Sequence, residues 1–135
     1  ELMTAVRAIA DSTGANVAVT ATVNEGVVVA HAINTDVWAS MGEEDKIRER
    51  IDLLAPYKVT RQMMGLTERP DTIFLHCLPA FHNLETELAR EYPEICEVED
   101  EVFEGPQSRV FEEAENRLHT IKAVMDATMV GEAAG

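Results

Sequence analysis

The stretch Thr72-Ile73-Phe74-Leu75-His76-Cys77-Leu78-Pro79-Ala80-Phe81-His82 carries the strongest strand signal of the chain. Thr72 to Leu75 are all apolar or β-branched, the pattern of a strand buried on both faces, as in a parallel sheet. On its N-terminal side, Thr60 to Leu66 has helical character with Thr60 as N-cap. The charged stretch Glu43 to Arg50 leads into a helix through Ile51, Leu53 and Leu54 that Pro56 stops. Ala32 to Val37 reads as a second strand ending in polar residues. Farther upstream, Ala21 to Ala30 reads as a helix and Asn16 to Thr20 alternates like a short strand. Leu2, Val6, Ile9 and Ala10 share one face of an opening helix that Gly14 ends. On the C-terminal side, Glu85 to Arg90 is helical up to Pro93, and Cys96 to Val98 is a last short strand. Val110, Ala114, Leu118, Ile121 and Met125 recur at spacings of 4, 4, 3 and 4, the best helix of all, with Pro106 near its start. Gly131 to Gly135 reads as a frayed tail. Strands alternating with helices imply an α/β fold with a mostly parallel sheet covered on both faces.

Composition narrows the function. The 135 residues are 46% hydrophobic and 27% charged, an ordinary globular balance. Eleven Lys and Arg against 25 Asp and Glu give a net charge of −14, which argues against nucleic acid and anionic membranes as partners. Two cysteines, Cys77 and Cys96, make no disulfide framework and suit a reducing, cytoplasmic setting. No apolar run approaches the roughly 20 residues of a membrane span. The first residues, Glu1 to Arg7, lack a signal-peptide layout and enter a helical pattern without an N-cap, so an upstream segment is expected.

In open α/β sheets ligands collect at the carboxyl ends of the strands, which directs attention to Asp36–Gly42 and His76–Pro79. In the first, Asp36 can hold an ammonium group while Ser40 and the loop backbone hold a carboxylate, recognising an amino acid by both ends. The bland alternative makes Asp36 a turn cap and Trp38 core. In the second, Cys77 at a strand end is a nucleophile, a metal ligand, a polar contact or simply core. Leu78-Pro79 is a candidate cis peptide, and His76, Cys77 and His82 lack zinc spacing, so no metal is expected. In the third, inside the strong helix, Glu113 with Arg117 and Glu115 with His119 are spaced for surface pairs, or Arg117 faces a cleft and clamps a phosphate or carbonyl oxygen. The acidic run from Glu85 to Glu115 reads as a solvated face.

Taken jointly and in order, four segments closely resemble ornithine carbamoyltransferase: Asp36-Val37-Trp38-Ala39-Ser40-Met41-Gly42; His76-Cys77-Leu78-Pro79-Ala80-Phe81-His82; Asp100-Glu101-Val102-Phe103; and the run from Ala114-Glu115-Asn116-Arg117-Leu118-His119 to Met125. The resemblance covers essentially the whole chain and is that of the C-terminal, ornithine-binding domain. It implies a partial Rossmann-like sheet over residues 1–105 and a C-terminal helix over 106–130. It implies transfer of the carbamoyl group of carbamoyl phosphate to the δ-amine of L-ornithine, giving L-citrulline and phosphate, without a cofactor.

Carried over residue by residue, the resemblance gives Asp36, Ser40, Met41 and Cys77 to ornithine and Cys77, Leu78 and Arg117 to carbamoyl phosphate. Asp36, Cys77 and Arg117 become the catalytic set, with Cys77 an orienting polar group and no covalent intermediate. It also implies a cis Leu78-Pro79 bond and a parent enzyme built as a homotrimer or a multiple of trimers. The family's Ser-x-Arg-Thr-Arg and His-Pro-x-Gln segments do not occur in these 135 residues, nor does an asparagine that relatives use on ornithine. A domain that binds carbamoyl phosphate is therefore a required partner, and the chain alone is expected to be inactive. In relatives the long C-terminal helix packs on that other domain, so the Val110–Met125 stripe is expected to be partly uncovered. Two other readings are a carbamoyltransferase for another amine, such as putrescine, and a non-catalytic amino-acid-binding module. The Ser40-Met41-Gly42 loop favours an amino-acid substrate over a diamine.

Overall fold

The computed structural model describes residues 1–39 and 42–129. Helix α1 (Leu2–Thr13) opens the chain and stops at Gly14, whose φ of 75° is the left-handed cap that glycine adopts without steric cost. Helix α2 (Val23–Val27) starts from Thr22 and ends where Val27-Val28-Val29 brings three β-branched residues together. It is shorter than the Ala21–Ala30 pattern suggests. Asn16–Thr20 is irregular and exposed rather than a strand, because no neighbouring strand among the described residues offers it a ladder.

Strand β1 (Ala32–Thr35) and strand β2 (Ile73–His76) form a parallel pair, with Ile33 beside Phe74 and Thr35 beside His76. Their crossover carries a short 3₁₀ turn at Glu44–Lys46, helix α3 (Ile47–Leu54), a second 3₁₀ turn at Ala55–Tyr57 and helix α4 (Arg61–Gly65). The expected cap of α4 is present, the Met63 N–H donating to the Thr60 hydroxyl at 3.0 Å. Downstream lie α5 (Glu87–Glu91), a 3₁₀ turn at Pro93–Ile95, α6 (Asp100–Phe103) and α7 (Val110–Met129). Cys96–Val98 contributes a single parallel bridge, Val59 to Val98, in place of a strand. Helix α7 begins at Val110 and not near Pro106, because residues 107–109 run alongside β2. There Phe74 donates to the Gln107 carbonyl and accepts from Arg109 N–H, each at 2.9 Å.

Phe74 has no exposed surface and centres the main core with Ile33, Val59, Met63, Val98 and Val110. Burying a side chain of this kind contributes about 1.5–3 kcal/mol. A second cluster of Ala39, Ile47, Ala89, Ile95 and Cys96 lies beneath the loop that follows β1. Trp38 is buried at 6% exposure. Beyond its first turn α7 is open, with Leu118 at 67% and Ile121 at 49% exposure. The stripe expected to be partly uncovered is so.

Candidate active site

Strand register decides what meets at the carboxyl end of the sheet. Because Thr35 pairs with His76 in a parallel ladder, the next residues, Asp36 and Cys77, emerge side by side. The Cys77 thiol donates to Asp36 Oδ1 at 3.1 Å, and the same oxygen accepts the Val37 N–H at 2.7 Å. The hydrogen bond from the thiol to Asp36, followed by partial burial and the nearby carboxylate charge, pushes the Cys77 thiol above its ordinary range. Cys77 is therefore a protonated donor at neutral pH, which fits an orienting polar group and not a thiolate nucleophile.

The third component comes from α7. Glu113, in the first turn, accepts the His76 backbone N–H through Oε2 at 3.0 Å and so ties the helix to the end of β2. Of the two readings open for Glu113 and Arg117, the surface pair is not seen among the described residues, where Glu113 accepts the His76 backbone N–H. Glu115 and His119 do approach each other, at 4.0 Å on the exposed face. Arg117 stands one turn beyond Glu113 and lines a cleft of about 390 Å³ with Asp36, Cys77, Leu78 and Pro79. Ala39, Ile47, Phe81 and Leu88 form its apolar wall. Such a mix of an apolar wall with few convergent polar groups suits a small polar ligand with an aliphatic stem. Among the described residues the Arg117 side chain has no ion-pair partner, so its guanidinium remains available to an oxygen anion. A depression of similar size near Arg61, Asp100, Glu101 and Glu104 carries three carboxylates and lies away from the strand ends.

The turn itself is specialised. Leu78-Pro79 is cis, as the resemblance implied, and Leu78 has φ of 53°. Asp36, Cys77, Leu78 and Arg117 line one cleft, whereas Ser40 and Met41 lie outside the described residues. Ala39, immediately before them, lines the cleft. Two residues of this neighbourhood escape a reading of spacing alone. Glu97, inside an acidic run that reads as solvated, is fully buried and accepts from His76 Nε2 at 2.9 Å and from Phe81 N–H at 2.8 Å. His82 stacks on Phe103 with centroids 3.9 Å apart and donates to Asp100 at 2.7 Å. That bond holds the Asp100 carboxyl below its usual range. Among the described residues no group of three or more His, Cys, Asp and Glu is arranged to hold a metal ion. No helix among them is long and apolar enough to cross a membrane.

Comparison with known proteins bears on this arrangement. The family model for the aspartate/ornithine carbamoyltransferase Asp/Orn binding domain matches residues 1–128. The phaseolotoxin-insensitive ornithine carbamoyltransferase 2 of Pseudomonas syringae pv. actinidiae is 66% identical over 105 residues, covering 78% of this chain and 32% of its own length. The catabolic ornithine carbamoyltransferase 1 of Streptococcus agalactiae serotype III is 52% identical, over 96% of this chain and 41% of its own. The solved ornithine carbamoyltransferase of Pyrococcus furiosus superposes with a TM-score of 0.68 at 36% identity, over 87% of this chain and 33% of that one. The anabolic enzyme of Campylobacter jejuni gives 0.70 at 31% identity, over 86% and 34%. The chain therefore spans between 32% and 41% of the length of these curated relatives.

Proposed function

The chain belongs to the aspartate/ornithine carbamoyltransferase family, and from that premise we propose that it supplies the ornithine-binding half of an ornithine carbamoyltransferase. The observation that carries this reading is the convergence of Asp36, Cys77, Leu78 and Arg117 on one cleft at the ends of two parallel strands. In the proposed reaction the δ-amine nitrogen of L-ornithine attacks the carbamoyl carbon of carbamoyl phosphate. The carbon–oxygen bond to phosphate breaks, phosphate leaves with the electron pair, and the amine gives up a proton to yield citrulline.

Each residue has a role that its surroundings favour. Asp36, fixed by the Val37 N–H, draws the amine end of the substrate into the cleft beside Cys77. A free alkylamine titrates near about 10.4, and the apolar wall of Ile47, Phe81 and Leu88 favours the neutral, nucleophilic form by desolvation. Arg117 offers a preorganised cation to the carbamoyl oxygen as negative charge develops there. The Leu78 carbonyl and the Cys77 thiol orient the reacting groups. Ser40 and Met41, directly after Ala39, take the α-carboxylate end of ornithine. A carbamoyl-phosphate domain, from the same or another chain, supplies the phosphate-binding arginines, and assembly as trimers belongs to this same proposal.

A chimaera tests it. Residues 1–128 replace the matching domain of the Streptococcus agalactiae enzyme, and product formation is followed with ornithine or putrescine as acceptor. Citrulline from ornithine with little carbamoylputrescine is the expected result. Carbamoylation of putrescine alone, or a folded chimaera without either product, contradicts the proposal.

A further inference from the structure

We propose that His76 and Glu97 are positioning residues, a buried imidazole–carboxylate pair that holds the Cys77–Phe81 turn in the shape that brings Cys77 to Asp36. Both side chains have no exposed surface. The Leu78 N–H donates to His76 Nδ1 at 3.0 Å, so Nδ1 carries no proton and the neutral ring bears its hydrogen on Nε2. That hydrogen is donated to Glu97 Oε1 at 2.9 Å, and the same oxygen accepts the Phe81 N–H at 2.8 Å. One connected pair therefore grips the turn at both ends, at Leu78 and at Phe81.

The grip has work to do. Leu78 has φ of 53°, a left-handed conformation that is costly for a branched side chain and persists only where its surroundings impose it. Its N–H is held to the ring two residues earlier. A buried carboxylate is also expensive, and an apolar pair of equal volume is commonly as stable or more so. Among the described residues Glu97 Oε2 has no hydrogen-bond partner, a further cost to stability. What the pair provides and an apolar pair cannot is two fixed acceptors for the turn. Their lone pairs set the path of residues 77–81 and hence the placement of the thiol that donates to Asp36.

As a statement about carbamoyl transfer the inference rests on the function proposed above; as a statement about the turn it stands on these bonds. Two measurements on the 135-residue chain test it. In the wild type, imidazole nitrogen correlations by NMR should report the Nε2–H tautomer for His76; the Nδ1–H tautomer overturns the proposal. In variants, the pH profile of Cys77 alkylation by iodoacetamide reads the Asp36 contact, with buried Cys96 as internal control for folding. His76→Gln and Glu97→Ala, by loosening the hydrogen bond from the Cys77 thiol to Asp36, should label Cys77 about three- to tenfold faster at mildly alkaline pH. Glu97→Gln, which keeps an acceptor oxygen, should stay within about twofold of wild type, a rescue that loss of packing does not predict. Unchanged Cys77 profiles in His76→Gln and Glu97→Ala with Cys96 still protected overturn it. Should His76→Gln unfold, the wild-type tautomer and the two Glu97 variants decide. A chimaera without transferase activity contradicts the function but leaves tautomer and profiles in place, so the two failures are distinct.

Discussion

Asp36 is a single exposed carboxylate at a strand end, yet it fixes the chemical state of its neighbour. Because Asp36 accepts a hydrogen bond from the Cys77 thiol, the thiol titrates above its ordinary range and deprotonation is disfavoured. Asp36→Asn removes the negative charge and offers an amide donor to the thiolate. Alkylation of Cys77 at a fixed, mildly alkaline pH should then accelerate several-fold, with its pH midpoint moved down; an unmoved midpoint contradicts the Asp36–Cys77 contact. The candidate residues were legible in the sequence because their order and wording are specific. Their mutual contacts were not, since 41 positions separate the two and only the strand register brings them together. Glu97 was misread for a physical reason. Local composition reports the average solvation of a run, and one carboxylate in it is turned inward to accept His76 and Phe81.

Among the elements, α4 shows how a short helix persists. Thr60 accepts the Met63 N–H, and Glu99, from another segment, accepts the Arg61 N–H at 2.8 Å, so two of its otherwise unpaired donors are satisfied. Thr60→Ala should cost about 0.5–2 kcal/mol in chemical denaturation. At the centre of β2, Phe74→Ala should cost about 3–5 kcal/mol by cavity formation, enough to unfold a marginal domain. Strand β2, α4 and α7 were readable because periodicity and caps are local signals. Asn16–Thr20 and Cys96–Val98 were not, because alternation alone does not supply a partner strand. The stripe of α7 was legible as an apolar face, and Leu118, Ile121 and Met125 are exposed on it. Light scattering of the 135-residue chain should show association that rises with concentration and weakens in Leu118→Glu. A monomer at every concentration would count against that.

At the scale of the whole molecule, a chain of net charge −14 presents a cleft lined by Arg117, and no Ser-x-Arg-Thr-Arg run occurs in these residues. The isolated chain should therefore form no citrulline, and the proposed transfer should appear only when a carbamoyl-phosphate domain faces the cleft. The central claim is that Arg117 acts on the carbamoyl oxygen as charge develops. The most direct measurement is steady-state citrulline formation by the Streptococcus agalactiae chimaera with Arg117 intact or changed to Ala. The account predicts a fall of about 10²–10³-fold in kcat with the KM for ornithine little altered, the signature of a lost transition-state contact. A folded Arg117→Ala chimaera that retains the full kcat contradicts it.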